Sequence, residues 1–222
     1  MLVVKDIYKE FKDKKVLKGV SFNVNKKDNI ALLGNNGAGK STLIKIISGQ
    51  MDSKSGQIET KLNFNSEVGI MPQDDILIDD LTVKEIISLK LSMCGLKNED
   101  YLFWLKEVNL ENCSNIFVGK LSGGQKRRLS LVLSMVNEPK IVFLDEPTTG
   151  MDLDAVDKFW ELMRTKDFAL VIITHDFNQI DTFFNRVLIL NDGVIVSDTT
   201  VDKLHSFGQT IEEHYRKVME KR

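Results

Sequence analysis

The sequence is poor in the features that take a chain out of the ordinary globular class. Its two cysteines, Cys94 and Cys113, have no metal-like spacing and no partner motif, so they read as buried or idle free thiols. No apolar run approaches the roughly 18 residues of a membrane span. Met1-Leu2-Val3-Val4-Lys5-Asp6 lacks the charged head and long apolar core of a secretory signal. The expectation is a cytosolic chain, unless a partner holds it at a membrane. A surplus of charge is missing as well: 30 basic against 32 acidic residues give a formal net charge of −2, which argues against a generic polyanion binder with its strongly basic face. There are no internal repeats, low-complexity runs or linkers. The remainder, 222 residues that are 42% hydrophobic and 28% charged, suits one domain with subdomains.

What the chain does have is glycine at a strand end. Gly34-Asn35-Asn36-Gly37-Ala38-Gly39-Lys40-Ser41-Thr42 follows the apolar run Ile30-Ala31-Leu32-Leu33 and precedes the helical pattern Leu43, Ile46, Ile47. A strand that breaks into such a loop and re-enters as a helix aims several backbone N–H groups and the helix dipole at one small volume. That volume suits a phosphate. In the P-loop template, Gly34, Gly37 and Gly39 let the backbone close around a β-phosphate, Lys40 reaches the β and γ oxygens, and the Ser41 hydroxyl ligates Mg²⁺. Asn35, Asn36 and Ala38 complete the cradle and Thr42 extends its polar rim.

Around this loop the pattern predicts an α/β fold. Residues 2–8 and Val16 to Val24 alternate apolar and polar, as half-exposed antiparallel strands do. Phe11, alone in a Lys-rich turn between them, either stacks on a base or tucks under its own hairpin. Gly49 is a C-cap, Ser55-Gly56 turns into Gln57 to Thr60, and Val68-Gly69-Ile70-Met71 is a short strand ending at Pro72-Gln73. From about 81 to 120 the period becomes helical. Thr82-Val83-Lys84-Glu85 is a capping box, Val83, Ile86, Ile87 and Leu91 form a stripe, Gly95 stops it, and a second segment carries Tyr101, Leu102, Trp104, Leu105 and Val108. Leu121-Ser122-Gly123-Gly124-Gln125 opens a helix with Leu129, Val132, Leu133 and Val136 on its apolar face. Ser122 reads there as a plain N-cap or as part of a second anion site. Asn191-Asp192-Gly193 signals a hairpin, and Gly208 precedes a charged helical tail, about 208–222.

Two further apolar runs end in chemistry: Ile141-Val142-Phe143-Leu144 in Asp145-Glu146, and Leu170-Val171-Ile172-Ile173-Thr174 in His175. Ligands of open α/β sheets sit outside the carboxyl ends of parallel strands. Four strands should therefore deliver the Gly34 loop, Gln73, Asp145 with Glu146, and His175 to one edge. Asp145 is placed to hold a metal, Glu146 to polarise a water in line with the γ-phosphate, and His175 to bond a γ oxygen or orient that water. Gln73 would reach the metal or the water. The Ser122 helix cannot be brought to the same nucleotide within one chain from spacing alone; a two-fold dimer, each copy covering its partner's nucleotide, resolves this.

With these residues assembled, the chain from Leu2 to about Phe207 resembles the ATP-binding subunit of the ABC transporters, closest to drug, peptide or lipid exporters through Lys126-Arg127-Arg128-Leu129-Ser130 and Thr148-Thr149-Gly150-Met151-Asp152. The resemblance implies a single ABC ATPase domain over 1–222, with a P-loop NTPase core and mainly parallel sheet, an N-terminal antiparallel β-subdomain and a helical insert. It makes Gly34–Thr42 the Walker A loop, Gln73 the Q-loop, Leu121–Gln125 the signature, Ile141–Asp145 Walker B, Glu146 the catalytic base, Asp152 the D-loop residue, His175 the switch histidine and Phe11 the base-stacking aromatic. It implies ATP and Mg²⁺, with Ser41, Gln73 and Asp145 on the metal. It also implies a head-to-tail dimer, most simply a homodimer, on a separate membrane permease, peripheral on the cytoplasmic face of the cell membrane, with no nucleic acid. Lys27-Asp28-Asn29 replaces the family's usual Gly-Glu turn, and Phe11 its commoner Tyr; neither position touches the phosphates, so weaker base stacking is expected at most. The chain stops soon after the core, and no regulatory domain is expected to follow.

The competing class is a soluble ABC ATPase acting on DNA or ribosomes. The DNA-repair kind needs a long coiled coil where this chain has only about 80 residues between Thr42 and Leu121, and the translation kind carries two cassettes. A module that binds ATP without hydrolysing it is disfavoured by Glu146 and His175.

Overall fold

A computed structural model describes residues 1–96, 101–175 and 177–220. In chain order its elements are β1 (Leu2–Phe11), β2 (Lys14–Val24), β3 (Asn29–Leu33), α1 (Lys40–Ile47) and β4 (Ser55–Thr60). There follow α2 (Phe64–Glu67), β5 (Val68–Met71), α3 (Val83–Met93), α4 (Tyr101–Glu107), α5 (Gly123–Met135), β6 (Ile141–Asp145) and α6 (Leu153–Thr165). The last are β7 (Ala169–Ile173), α7 (Phe177–Phe183), β8 (Arg186–Asn191), β9 (Val194–Thr200), α8 (Val201–Ser206) and α9 (Ile211–Glu220). They group into two compact units, one of Met1–Leu62 with Ala169–Arg222 and one of Asn63–Phe168.

In the first unit β1 is the middle strand of an antiparallel sheet, paired with β2 and β4. Its alternation buries Leu2, Val4 and Ile7, and Val20, Phe22 and Val24 of β2 are buried with them. The step from Val4 to Ile7 breaks strict alternation; the register shifts there, and Asp6 takes φ 48° as a bulge that returns Ile7 to the core. The other strands form a parallel set: β3 lies between β7 and β8, parallel to both, and β9 returns antiparallel to β8. Ile30 to Leu33 and Ala169 to Ile173 are all at most 1% exposed, which is why they read as unbroken apolar runs. The β8–β9 turn forms as expected, with Asp192 and Gly193 both at positive φ.

Lys27-Asp28-Asn29 makes its turn without glycine. Lys27 takes φ 65°, the Asp28 carboxylate accepts from Asn25 N at 2.9 Å and pairs with Arg186 at 3.1 Å, and Asn185 bonds both Asn29 N and Lys27 O. Asp198, then Asp28, hold the half-buried Arg186 guanidinium above its usual pKa. The expected charged tail is α9; its last two positions, 221 and 222, lie outside the described residues.

In the second unit β5 pairs parallel with β6. The capping box at α3 is present: Thr82 Oγ1 accepts from Glu85 N at 3.3 Å, and Glu85 Oε2 accepts from Thr82 N at 2.8 Å. The Glu85 carboxylate, accepting first from Thr82 N and then from Thr82 Oγ1 at 2.7 Å, is held below its usual pKa. Val83, Ile86, Ile87 and Leu91 are buried as the stripe predicts, and each such side chain contributes about 1.5–3 kcal/mol. The second segment fits less well: Trp104, Leu105 and Val108 are buried, but Leu102 and Phe103 are half exposed, and Lys166 Nζ lies 4.2 Å from the Trp104 ring centroid. Helix α5 also departs from its expected stripe. Leu129, Val132 and Val136 are buried, whereas Leu133 is only half-buried and Arg127, Ser130, Leu131, Ser134 and Met135 are buried too, so this helix is enclosed on most sides. Cys94 and Cys113 are free thiols, the first half-buried and the second buried. Among the described residues no helix is long and apolar enough to cross a membrane.

Candidate functional site

In the first unit β3 runs straight into the glycine loop. The Leu32–Ile173 pairing aligns β3 with β7, so the Gly34 loop and Thr174-His175 leave the same end of the parallel strands. The loop's shape needs its glycines for two different reasons. A Cβ at Gly34, φ 154°, would stand 2.1 Å from the Leu190 carbonyl oxygen, so packing against β8 excludes a side chain. At Gly37, φ 80°, nothing lies within 4 Å of the Cβ position, and the requirement is backbone conformation beside open space. Lys40, only 7% exposed, folds back over the loop; its Nζ donates to Gly34 O at 2.6 Å and Asn35 O at 3.1 Å. Ser41 and Thr42 follow in the first turn of α1, a helix with no acidic residue in that turn. An anion at this helix start meets no opposing carboxylate from its own helix.

Phe11 stands at the end of β1, 45% exposed, with Lys9 Nζ 5.2 Å from its ring centroid. The ring is therefore not tucked under its hairpin. That hairpin is tied to the loop, since a Cβ at Gly39 would lie 2.7 Å from Leu17 and 3.1 Å from the Val16 carbonyl. Sequence reasoning missed Tyr215: from α9 its hydroxyl donates to Asn35 Oδ1 at 3.0 Å, across 180 residues, and its ring lies 5.6 Å from Phe177. Burial holds the phenol above its usual pKa. His175 is exposed and Thr174 beside it is buried.

In the second unit the pairing of Met71 with Leu144 aligns β5 with β6, so Pro72-Gln73 and Asp145-Glu146 also leave a common end. Asp145 is 3% exposed, and Gln73 is exposed. Glu146 takes φ 48°, a left-handed conformation that costs a non-glycine residue on the order of 1–3 kcal/mol. Its carbonyl accepts from Thr149 N at 3.2 Å and its Oε2 from Thr149 Oγ1 at 3.4 Å. Ser122 caps α5 reciprocally with Gln125: Ser122 Oγ accepts from Gln125 N at 3.2 Å, and Gln125 Oε1 from Ser122 N at 2.9 Å. Gly123, the first residue of that helix, adds no bulk at its start, with nothing within 4 Å of its Cβ position. Gly124 lies close to Gly150 O, 3.1 Å from its Cβ position. Asp152 is the N-cap of α6, accepting from Ala155 N at 2.9 Å.

A second residue that sequence reasoning passed over holds this unit's segments together. The Arg127 guanidinium, from α5, bonds the backbone of both strand ends, to Pro72 O and Gln73 O on one side and Asp145 O and Glu146 O on the other.

The profile of the ABC transporter family matches residues 17–149. Nod factor export ATP-binding protein I of Burkholderia lata is 33% identical over 204 residues, covering 85% of this chain and 67% of that protein. ABC transporter A family member 8 of Dictyostelium discoideum is 34% identical over 81% of this chain, which spans only 23% of that longer protein. The zinc uptake system ATP-binding protein of Listeria monocytogenes is 28% identical over 92% of this chain and 88% of its own. Among solved structures, the ATP-binding subunit of an ABC transporter superposes with a TM-score of 0.91 at 27% identity, over 99% of both chains. A dimeric ATP-binding cassette in a post-hydrolysis state bound to ADP and Pi gives 0.82 at 26% identity, over 90% of this chain and 99% of its own.

Proposed function

The chain belongs to the ABC transporter family, and from that membership we propose that it is the subunit that binds and hydrolyses ATP, and that ATP-driven pairing of two copies moves a substrate outward through a separate membrane permease. The observation that carries this reading is the cradle after β3, where the backbone of Gly34 to Gly39 leads into α1 and the buried Lys40 ammonium lies over the loop carbonyls. An incoming triphosphate offers Lys40 stronger, charged acceptors than those carbonyls.

Magnesium would neutralise charge on the β- and γ-phosphates, and Ser41, Gln73 and Asp145 are the side chains that would hold it; the buried Asp145 carboxylate is the oxygen donor a hard cation takes. Gly34, Asn35, Asn36, Gly37, Ala38, Gly39 and Thr42 cradle the phosphates through backbone and rim contacts. Phe11, exposed on the hairpin packed against the loop, offers its face to the base. Glu146 acts as general base on the attacking water, and His175 bonds the γ-phosphate. Ser122, Gly123, Gly124 and Gln125 of one copy, with Asp152 beside them, cover the nucleotide of the other. The two units together make one ATPase domain over 1–222, with helical insert 81–120 and tail 208–222. It works peripherally at the cytoplasmic face of the cell membrane and binds no nucleic acid.

The outward direction is supported by the Lys126–Ser130 and Thr148–Asp152 sequences and by the name of the Burkholderia relative; the Listeria relative is named for uptake, and the permease decides between them. Detergent extraction tests the assembly. The chain should copurify with an integral membrane protein, and recovery only in a soluble pool with ribosomes or DNA would overturn the transporter reading.

A further inference from the structure

Arg127 is 5% exposed in the middle of a helix, and a buried charge of that kind persists only where it is fully engaged. Its acceptors are not an ordinary ion pair. Nη1 donates to Pro72 O at 2.8 Å, Gln73 O at 3.0 Å and Asp75 Oδ1 at 3.1 Å; Nη2 donates to Asp145 O at 2.5 Å and Glu146 O at 2.7 Å. Four of these five acceptors are backbone carbonyls, and they belong to the two segments that leave the aligned ends of β5 and β6. Nε is buried without a partner, so the side chain gives up one donor to reach this geometry. One of the carbonyls is that of Glu146, whose φ of 48° needs external support to persist. The planar fork has the reach and the number of donors for both segments at once, which a lysine ammonium does not.

We propose that Arg127 is a positioning residue for ATP hydrolysis: it fixes the Glu146 backbone in its left-handed conformation and locks the Gln73 segment to it, so that the two move as one piece. It touches no reacting atom and acts through Glu146 and Gln73; the inference therefore rests on the reading of Glu146 as the base. Because Arg127 follows Ser122-Gly123-Gly124-Gln125 on α5, a shift of that helix start is passed to the base and to Gln73 through a single side chain.

Arg127→Lys keeps the charge and removes the fork, and Arg127→Met removes both. Each is measured for kcat, KM and equilibrium binding of a fluorescent ATP analogue, with circular dichroism and the melting midpoint as folding controls, and again in a Glu146→Gln background. Since a displacement of about 1 Å can cost a hundredfold, kcat should fall roughly tenfold to a hundredfold, with analogue binding within about twofold of the original. The same substitutions should cost nothing further once Glu146 is Gln, because residues acting as a unit are not additive. An unchanged kcat in a folded variant overturns the proposal, as does an equal loss in both backgrounds. Failure of both variants to fold also overturns it, assigning Arg127 to holding the unit together. If Glu146→Gln itself leaves turnover intact, it is the assignment of the base that fails, and that outcome is distinct from these.

Discussion

Glu146 carries the account at the scale of single residues. It follows the buried Asp145 at a strand end, in a conformation that favours glycine, and is held by Thr149 and Arg127. Glu146→Gln keeps size and hydrogen bonding and removes the basic carboxylate. Turnover should drop by about 10²–10⁴, with ATP affinity kept, in a steady-state phosphate-release assay paired with equilibrium binding. Lys40 differs in kind, because the proposal gives its ammonium a part in binding as much as in chemistry. Lys40→Ala should abolish both nucleotide binding and hydrolysis, and unchanged ATP turnover would remove the P-loop assignment. Phe11, Gly34–Thr42, Gln73 and Glu146 could be nominated as site candidates from the sequence because each stands at a strand end or turn with its chemistry exposed in the local pattern. Arg127 and Tyr215 could not. A charged residue inside a helix reads as solvated, and the acceptors that bury Arg127 lie 52 to 55 residues upstream and 18 to 19 downstream.

Among the elements, those with strong periodicity or full burial were readable. The stripe of α3 and the runs that became β3, β6 and β7 are examples. The box at α3 makes a direct stability test: Thr82→Ala should cost about 1 kcal/mol, seen as a lower denaturant midpoint with an unchanged slope. Helix α6 escaped the reading although its signals were there, with Asp152 as N-cap and Ala155, Phe159, Trp160, Leu162 and Met163 buried at helical spacing. Helix α8, six residues long, is too short for periodicity to declare it. The tail helix α9 adds a pH dependence. His214 Nε2 lies 2.8 Å from Ser197 Oγ, and burial, then Lys217, hold its pKa below the ordinary 6.5. The folded state thus favours neutral imidazole. The stability it contributes is complete above pH 6.5 and is lost as the pH falls through the lower folded value. The melting midpoint of the original chain should fall relative to His214→Gln between about pH 7.5 and 5.5, and parallel curves would contradict this.

For the molecule as a whole, the proposal is that function belongs to a pair of copies. The Ser122 helix start, followed by two glycines and with no acidic residue in its first turn, would under this proposal meet an anion that a second copy brings. A solved relative is a dimer bound to ADP and Pi, and the pairing carries over to this chain as a proposal. Binding that holds two subunits together through nucleotide must persist when hydrolysis is blocked and vanish when nucleotide is withdrawn. Sedimentation of the Glu146→Gln chain, with and without saturating MgATP, tests this most directly. The account predicts a dimer with nucleotide and a monomer without it; a monomer under both conditions, with ATP demonstrably bound, would contradict it.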